Sequence, residues 1–504
     1  MIRSRDRSAA DVAFRRDPPI EWTDPPLTIF PHEVCPVPQL NPPVCLKPLA
    51  LPEFGEPVVE PQISGEVYQA RVAAALHRAA GQGLDALIVY GDREHMANVS
   101  YLTGYDPRFE EALLILTPGQ KPKLLVGNEG WAYAELAPGS FERVLYQSMS
   151  LLGQPRGNSP TLPAILADSG IGAGARLGVA GWKYFDASDG MDASALEIPS
   201  YIADCLRRVA GPAGLVSNAG AIFMAPDNGL RTLNEVDQLA VFEFAATHTS
   251  QALRRVMFGL RPGMTERDAV RLMQINGLPQ SAHPMLSAGQ RAFYGLPSPS
   301  NRVIDRGDPL SMAYAVWGAL NARAGFVVAE ASELPAGIQD YVEKLVAPYF
   351  SAIVAWYETV GIGVEGGALY EAIHSRIGAP FYGLGLNPGH LIHLDEWLHS
   401  PIAKDSRIRL ASGMALQVDV IPATHSPWFT TNIEDGIALA DAGLRAEFAA
   451  RFPEAWGRIE QRRAFMTDTL GIRLKPEVLP FSNIPAYLPP FLLAPHLAMA
   501  VDRA

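Results

Sequence analysis

The 504-residue chain has few cysteines and no long apolar run. Cys35, Cys45 and Cys205 form no CxxC pair, so neither a disulfide framework nor a structural zinc cluster is expected. The longest apolar stretches, such as residues 345–356, fall short of the ~20 residues that a membrane-spanning helix needs. The charged amino terminus lacks the apolar core of a secretory signal. These absences predict a soluble, cytoplasmic protein.

Basic side chains are also fewer than acidic ones. Lys and Arg number 41 against 53 Asp and Glu, which gives a formal net charge of −12. An acidic surface repels phosphate backbones and anionic lipids, so we expect neither nucleic acid nor a membrane as a partner. Apolar residues make up 48% of the chain, which is enough to bury a sizeable core.

Proline is concentrated in the first 65 residues, where thirteen of the chain's 43 prolines occur. Proline removes backbone donors and favours extended structure. Residues 1–65 are therefore predicted to form either a loose tail or an arm laid along another subunit. The apolar side chains of Trp22, Phe30 and Phe54 favour the arm.

From Glu66 onward, helical and strand patterns alternate. Residues 66–82 have the amphipathic spacing of a helix. Apolar runs then predict three strands, at residues 84–91, 112–116 and 123–127. The alternation predicts an α/β domain over residues 66–215.

A long helix is predicted over residues 232–260. Thr232 stands three residues before Glu235, which is the spacing of a capping box. The turn at residues 260–266 ends this helix, and Thr265 is the predicted cap of the next one.

Short strands and helices alternate again from residue 281 to 441, and residues 216–449 are predicted to form a second domain. The last segment, residues 450–504, combines a basic helix with a proline-rich apolar tail. We expect this tail to pack on the body of the protein.

The order of these motifs resembles the superfamily of methionine aminopeptidase, aminopeptidase P, prolidase and creatinase, which share the pita-bread fold. Residues 68–130 resemble its smaller amino-terminal domain, residues 230–265 its connector, and residues 281–441 its catalytic half. The resemblance implies an α/β (α+β) chain in which a creatinase-like amino-terminal domain precedes a pita-bread domain. It also implies a homodimer, since the amino-terminal domain of such a subunit borders its neighbour's site.

The peptidases of this superfamily hold two metal ions with two aspartates, one histidine and two glutamates. His390 matches the histidine, Asp419 stands at the first glutamate and Glu434 matches the second. Alanine stands at both aspartates, as Ala313 and Ala322. Two divalent ions need several anionic ligands, so we expect no cofactor here. A single divalent ion at the three matching residues is the minor alternative.

The loss of both aspartates resembles creatinase, the metal-free branch of the superfamily, which hydrolyses a C–N bond. The chain departs from creatinase at the proton-shuttling histidine, where Leu296 stands unless His283 reaches the site. It departs again at Ala324, where creatinase has a glutamate. The preferred hypothesis is a metal-independent hydrolase that acts on a C–N bond of a small amine- or guanidino-bearing substrate.

His390, Asp419 and Glu434 are the predicted catalytic residues. If the two carboxylates face one pocket without a cation, their like charges raise the pKa of one of them, which suits an acid and base pair. His390 could then activate water. Four further residues are predicted to contact the substrate: Tyr294, Arg291, Arg108 and Trp397.

Structural interpretations of these residues stay open. His393, His399 and His425 are typical of surface or loop positions, and Glu434 with Asp435 could cap a turn. Two further functions also stay open. One is a protein that lost catalysis and binds a peptide or a partner, and the second is a single-metal aminopeptidase or proline dipeptidase.

Overall fold

The computed structural model describes residues 40–185 and 189–502. Its strands, in chain order, are β1 Val44–Pro48, β2 Ala86–Gly91, β3 Ala112–Leu116, β4 Lys123–Val126, β5 Glu142–Leu145, β6 Arg176–Ala180, β7 Leu215–Asn218, β8 Met285–Ala288, β9 Pro309–Val316, β10 Ala319–Phe326, β11 His390–Leu391, β12 Ala415–Val420, β13 Asn432–Leu439, β14 Val478–Pro480 and β15 Leu497–Val501. Its helices are α1 Gly65–Gly81, α2 Ala97–Thr103, α3 Gly130–Tyr133, α4 Leu162–Asp168, α5 Ser200–Ala210, α6 Ala221–Met224, α7 Val236–Gly259, α8 Glu266–Arg271, α9 Ala347–Thr359, α10 Gly366–Ile377, α11 Ala442–Arg451 and α12 Pro453–Ala464.

A mixed six-stranded sheet forms the amino-terminal half, in the order β5-β4-β3-β2-β6-β7. The central strand β2 pairs in parallel with β6 and antiparallel with β3. Every residue of β2, β3 and β4 is buried, which explains why β2 and β3 are continuous apolar runs and why β4 is apolar after Lys123. All three strands lie within the predicted segments. Helix α1 begins after Ser64, whose side chain accepts a hydrogen bond from the Val67 amide.

The long helix α7 begins at Val236, four residues later than predicted. The prediction that Thr232 caps it is wrong, because the Thr232 hydroxyl donates to the carbonyl of Ala225 instead. The next cap is confirmed. Thr265 caps α8 in a reciprocal arrangement with Asp268, each side chain bonding the backbone N–H of the other.

An antiparallel sheet forms the second half, in the order β11-β12-β13-β10-β9-β8, with β14 added beside β13. Helix α7 packs on β9 and β10, and α9 packs on β12. Successive residues of a strand point to opposite faces. Each of these strands therefore directs alternate side chains toward the helices and toward the opposite face, where the candidate site lies.

The two ends of the described chain meet. Strand β1 pairs antiparallel with β15 over five residues. Phe54, in the predicted arm, is buried, and Arg254 of α7 donates to the carbonyl of Leu51 at 3.0 Å. The described part of the arm therefore lies along its own chain, while Trp22 and Phe30 lie outside the described residues.

The carboxy-terminal tail packs on the body, as predicted. Ile484, Tyr487 and Leu488 are fully buried. Within the described part of the chain, the helices are too short or too polar to cross a bilayer.

Candidate active site

Four residues lie side by side across the second sheet. Ala313 of β9 faces Ala322 of β10, Ala322 faces Glu434 of β13, and Glu434 faces Asp419 of β12. Residues that face each other across paired strands project to the same side. All four line a cavity of about 550 Å³, which we call the site cavity.

His390 lies at the edge of this row, on β11. Its Nε2 atom is 3.8 Å from Asp419 Oδ2 and 3.8 Å from Glu434 Oε1. Its Nδ1 atom is 3.2 Å from the carbonyl oxygen of Leu391. Because a carbonyl only accepts hydrogen bonds, Nδ1 carries a proton and Nε2 is the atom that faces the carboxylates. The structure thus brings the three predicted catalytic residues together.

A third carboxylate, Glu396, joins this group. Its Oε1 atom is 3.2 Å from His390 Nε2, and the residue lines the site cavity. Glu396 was not predicted as a site residue, because it matches none of the ligand positions of the superfamily. The signal that could have found it was its position next to Trp397, which aligns with a further histidine of the superfamily.

The charges of the site are not balanced. Burial raises the pKa of Asp419 to about 6. Burial, reinforced by the charge of Asp419, raises the pKa of Glu434 well above its ordinary value. Burial opposes a charged His390, yet the carboxylates of Glu396, Glu434 and Asp419 outweigh it and raise the pKa of the imidazole well above its ordinary value. One imidazolium thus faces three carboxyl groups, and burial opposes the charged form of two of them, Asp419 and Glu434.

The donor atoms fit one divalent ion. One ligand atom from each of His390, Asp419 and Glu434 lies within 4.8 Å of the others. Asp419 Oδ1 is buried without a hydrogen-bond partner among the described residues. Imidazole with two carboxylates is a donor set that Zn, Mn, Fe and Co accept. The prediction that the site has no cofactor is therefore wrong, since the ligand atoms of these three side chains lie close enough together to hold a divalent ion.

The two positions that would complete a second metal site carry no ligand atom. Its carboxylates would have to come from the positions of Ala313 and Ala322, whose methyl groups form a small apolar cluster with Met285 and Leu320. The neighbouring Asn321 is no substitute, because it points to the other face of β10. There its amide donates to Asp435 Oδ1 at 2.8 Å.

Two of the four predicted substrate contacts lie at the site. Trp397 stacks on the His390 ring, with the ring centres 4.1 Å apart. Trp397 and Tyr294 both line the site cavity. Arg291 does not, because its guanidinium donates to the carbonyl of Ser298 at 2.7 Å and lies 3.5 Å from Glu266.

Arg108 lines a different cavity, of about 670 Å³, which adjoins the site cavity at Ala282 and His283. Its Nε atom donates to Asp106 at 3.0 Å. His283 does line the site cavity, and its Nε2 atom lies 2.9 Å from the carbonyl oxygen of Leu296.

His393 is a loop residue, but it is buried rather than on the surface. Its ring is fully buried, 5.2 Å from the ring centre of Phe242. Burial, together with the charge of Arg231, lowers the pKa of His393 well below its ordinary value, so the ring is neutral. The Arg231 guanidinium also pairs with Asp395 and donates to Asn98 of α2 at 2.9 Å.

Glu434 and His425 each have a definite place in the fold. Glu434 and its neighbour Asp435 lie within β13 rather than capping a turn. His425, predicted on the surface or a loop, is a loop residue that lines the site cavity.

The amino-terminal half of the chain matches a known family. Residues 71–187 match the family model of the Creatinase/Prolidase N-terminal domain. Compared by sequence with curated proteins, the chain matches none of them.

Solved structures resemble the chain over most of its length. A prolidase from Thermococcus sibiricus has a TM-score of 0.58 at 18% identity and covers 75% of this chain and 95% of its own. A prolidase from Pyrococcus horikoshii has a TM-score of 0.55 at 16% identity, with 74% and 95% covered. A putative aminopeptidase P from Bacillus anthracis has a TM-score of 0.56 at 13% identity, with 79% and 99% covered. Residues 71–187 thus match the Creatinase/Prolidase N-terminal domain, and the chain shares the α/β (α+β) fold of these prolidases and this aminopeptidase P over most of its length.

Proposed function

We propose that the protein is a single-metal hydrolase that cleaves an amide C–N bond of a small peptide-like substrate, as an aminopeptidase or a proline dipeptidase. The observation that carries this proposal is the buried group of His390, Asp419 and Glu434, whose ligand atoms lie within 4.8 Å of one another. The solved structures that resemble the chain are named prolidases and an aminopeptidase P, which supports this function over a metal-independent one.

Each side chain has a separate role in this proposal. A divalent ion held by His390, Asp419 and Glu434 would supply Lewis-acid polarisation of the scissile carbonyl. The carbonyl of Leu391 keeps the proton on His390 Nδ1, so that Nε2 remains directed at the carboxylates. Trp397 covers one face of the imidazole, which fixes the ring and excludes water from that side.

A catalytically inactive binding protein is the second candidate. Ala313 and Ala322 remove two carboxylates from the row, and Leu296 stands where creatinase has its proton-shuttling histidine. These three substitutions would weaken chemistry more than binding, because the cavity itself is retained.

The test begins with the metal content of the purified protein. Elemental analysis should find about one divalent ion per chain, and His390→Ala should lose it, whereas His77→Ala, an exposed histidine of α1, should keep it. The metal-loaded protein is then assayed with Xaa-Pro dipeptides and with longer peptides that carry proline at the second position. Protein that binds no ion would overturn the proposal, and an ion without turnover would favour the binding protein.

The homodimer and the cytoplasmic location stay predictions. Sedimentation at micromolar concentration tests the first, and a monomer there would contradict it.

A further inference from the structure

Glu396 approaches the candidate metal site from a loop outside the sheet. Its Oε1 atom lies 3.2 Å from His390 Nε2, whereas the nearest oxygens of Asp419 and Glu434 each lie 3.8 Å away. All three carboxyl groups line the site cavity. Among the described residues, the Glu396 carboxylate has its one bonding partner in His390. Within that part of the chain, no group outside the site therefore holds this carboxylate.

The loop is fixed on both sides of Glu396. Asp395, the preceding residue, pairs with Arg231. Trp397, the following residue, stacks on the His390 ring. These contacts keep the backbone of Glu396 beside His390, while about a quarter of its side chain remains exposed. The carboxylate is thus held at the site on the side that opens to the cavity.

The distances from His390 Nε2 match those between donor atoms that share one ion. A nitrogen or oxygen ligand lies about 2.1 Å from an ion such as Zn²⁺. Two such donors are therefore about 3.0–4.2 Å apart, depending on the angle between them at the ion. The separations of 3.2 Å for Glu396 and of 3.8 Å for Asp419 and Glu434 all fall within this range.

Glu396 also faces the ring atom that a metal ion needs. His390 offers Nε2 as its ligand atom, because Nδ1 is bonded to the carbonyl of Leu391. When Nε2 binds an ion, its contact with Glu396 is lost, and the carboxylate must either bind the same ion or move away. Moving away would give up an attraction to a doubly charged cation in a buried site, where such attractions are strong. Binding is therefore the favoured arrangement.

We propose that Glu396 is a fourth protein ligand of the divalent ion, and that it supplies from a loop a carboxylate that the sheet lacks at Ala313 and Ala322. The proposal rests on the proposed function, since it adds a residue to the same metal site. One imidazole with three carboxylates is richer in oxygen than the group of His390, Asp419 and Glu434 alone. Because carboxylate oxygens suit Mn²⁺ and imidazole suits Zn²⁺, Glu396 should strengthen the binding of Mn²⁺ more than that of Zn²⁺.

Calorimetric titration of the metal-free protein with Mn²⁺ and with Zn²⁺ tests the assignment. Glu396→Gln should weaken Mn²⁺ binding at least about tenfold, the scale on which even indirect partners of a metal ligand act, and should weaken Zn²⁺ binding less. The matched control is Glu94→Gln, an exposed glutamate that lines the neighbouring cavity, and it should leave both affinities unchanged. A Glu396→Gln variant that binds the ions as tightly as the unaltered protein, or more tightly, would overturn the proposal.

Two further measurements separate a ligand from a charge that only attracts the ion. Glu396→Asp keeps the charge but shortens the side chain by one methylene, so its Mn²⁺ affinity should resemble that of Glu396→Gln. Full affinity in Glu396→Asp would overturn the assignment as a ligand. At saturating Co²⁺, the visible absorption bands report the number and arrangement of ligands. These bands should change in Glu396→Gln and stay unchanged in Glu94→Gln, and unchanged bands in both would also overturn the assignment.

The same experiments distinguish this proposal from the proposed function. An ion that binds equally well with and without the Glu396 carboxylate would overturn the fourth ligand alone. An ion that Glu396 helps to hold, in a protein that does not turn over Xaa-Pro peptides, would overturn the hydrolase alone. Protein that binds no ion would overturn both.

Discussion

Two methyl groups, on Ala313 and Ala322, stand beside two buried carboxylates, on Asp419 and Glu434, in one row of side chains. The methyl groups leave the carboxylates without the neighbours that would share a second ion. The carboxylates remain buried close to each other, and the pKa of each is raised. A single cation removes this penalty, since it neutralises charge where burial opposes it.

Metal binding should therefore depend on pH at the level of these residues. With its pKa raised to about 6, Asp419 holds a proton in the ion-free protein below that pH, and so does Glu434 with its pKa raised further. Both carboxyl groups and the imidazolium of His390 must lose a proton to bind the ion. Affinity should therefore begin to fall above the ordinary pKa of histidine, about 6.5, and fall more steeply as pH is lowered through about 6. For each proton that must be released, the affinity for the ion falls about tenfold for every unit by which the pH is lowered below the pKa of that group. Calorimetric titration with Zn²⁺ or Mn²⁺ at several pH values measures this, and an affinity that does not change with pH would contradict it.

The sequence predicted the residues of the site that belong to a spaced motif, and it missed those that tertiary contacts supply. His390, Asp419 and Glu434 are far apart in the chain, yet each occupies a ligand position in a spaced motif of the superfamily. Glu396 reaches His390 through the course of a loop, which no local pattern specifies. Arg291 was predicted to contact the substrate, but it does not line the site cavity. The positions of neighbouring residues in the sequence do not fix the direction of a side chain in a short helical turn.

At the level of elements, the row across β9, β10 and β13 provides a direct test of the one-ion site. Introducing Asp at both alanines, as Ala313→Asp with Ala322→Asp, restores two carboxylates to the face that carries Glu434. We expect the metal content to rise from one ion toward two per chain. The matched control is Asn321→Asp, which adds a carboxylate on the other face of β10, and elemental analysis should find no additional ion in it. A content that stays at one in the double variant would show that these positions do not complete a second site.

Helices α7 and α12 are joined by a buried ion cluster. Glu243 is fully buried, and it accepts from Arg462 at 2.7 Å and from Arg458 at 2.9 Å. Burial opposes its charge, but the two arginines outweigh burial and hold the pKa of Glu243 below its ordinary value. Such a group stabilises the fold above the pKa it has in the unfolded chain, about 4.3. That stability is lost as pH falls through the lower folded value.

Glu243→Gln should therefore destabilise the protein at neutral pH by about 3–5 kcal/mol, because it leaves two buried guanidinium groups without their counterion. Urea unfolding measures the loss. Glu135→Gln, which removes an exposed partner of Arg143, should cost less than about 1 kcal/mol. Equal losses in the two variants would contradict the importance of the buried cluster.

Elements with strong local signals were predicted well. The segments for β2, β3 and β4 are apolar apart from Asp85 and Lys123, and burial of both faces leaves little choice besides a central strand. The start of α7 was predicted four residues too early, because the Thr232 hydroxyl finds a carbonyl partner in Ala225 that only the tertiary fold provides.

At the scale of the whole molecule, the fold is closed by its last strand. Met499 and Ala500 of β15 are fully buried, and the Val501 amide donates to the carbonyl of Leu470 at 2.9 Å. A chain that ends at residue 496 should lose roughly 5 kcal/mol of apolar burial, which is comparable to the total stability of many proteins. We expect a low soluble yield and a lower Tm, measured by scanning calorimetry. Asp502→Ala, an exposed position after the same strand, should unfold at the temperature of the unaltered protein.

Arg231 ties the amino-terminal half to the wall of the site cavity, because one guanidinium contacts both Asn98 of α2 and Asp395, the residue before Glu396. Undocking of α2 would break the same contacts that fix the loop bearing Glu396 and Trp397. Mild denaturant should then release that loop from His390 together with α2.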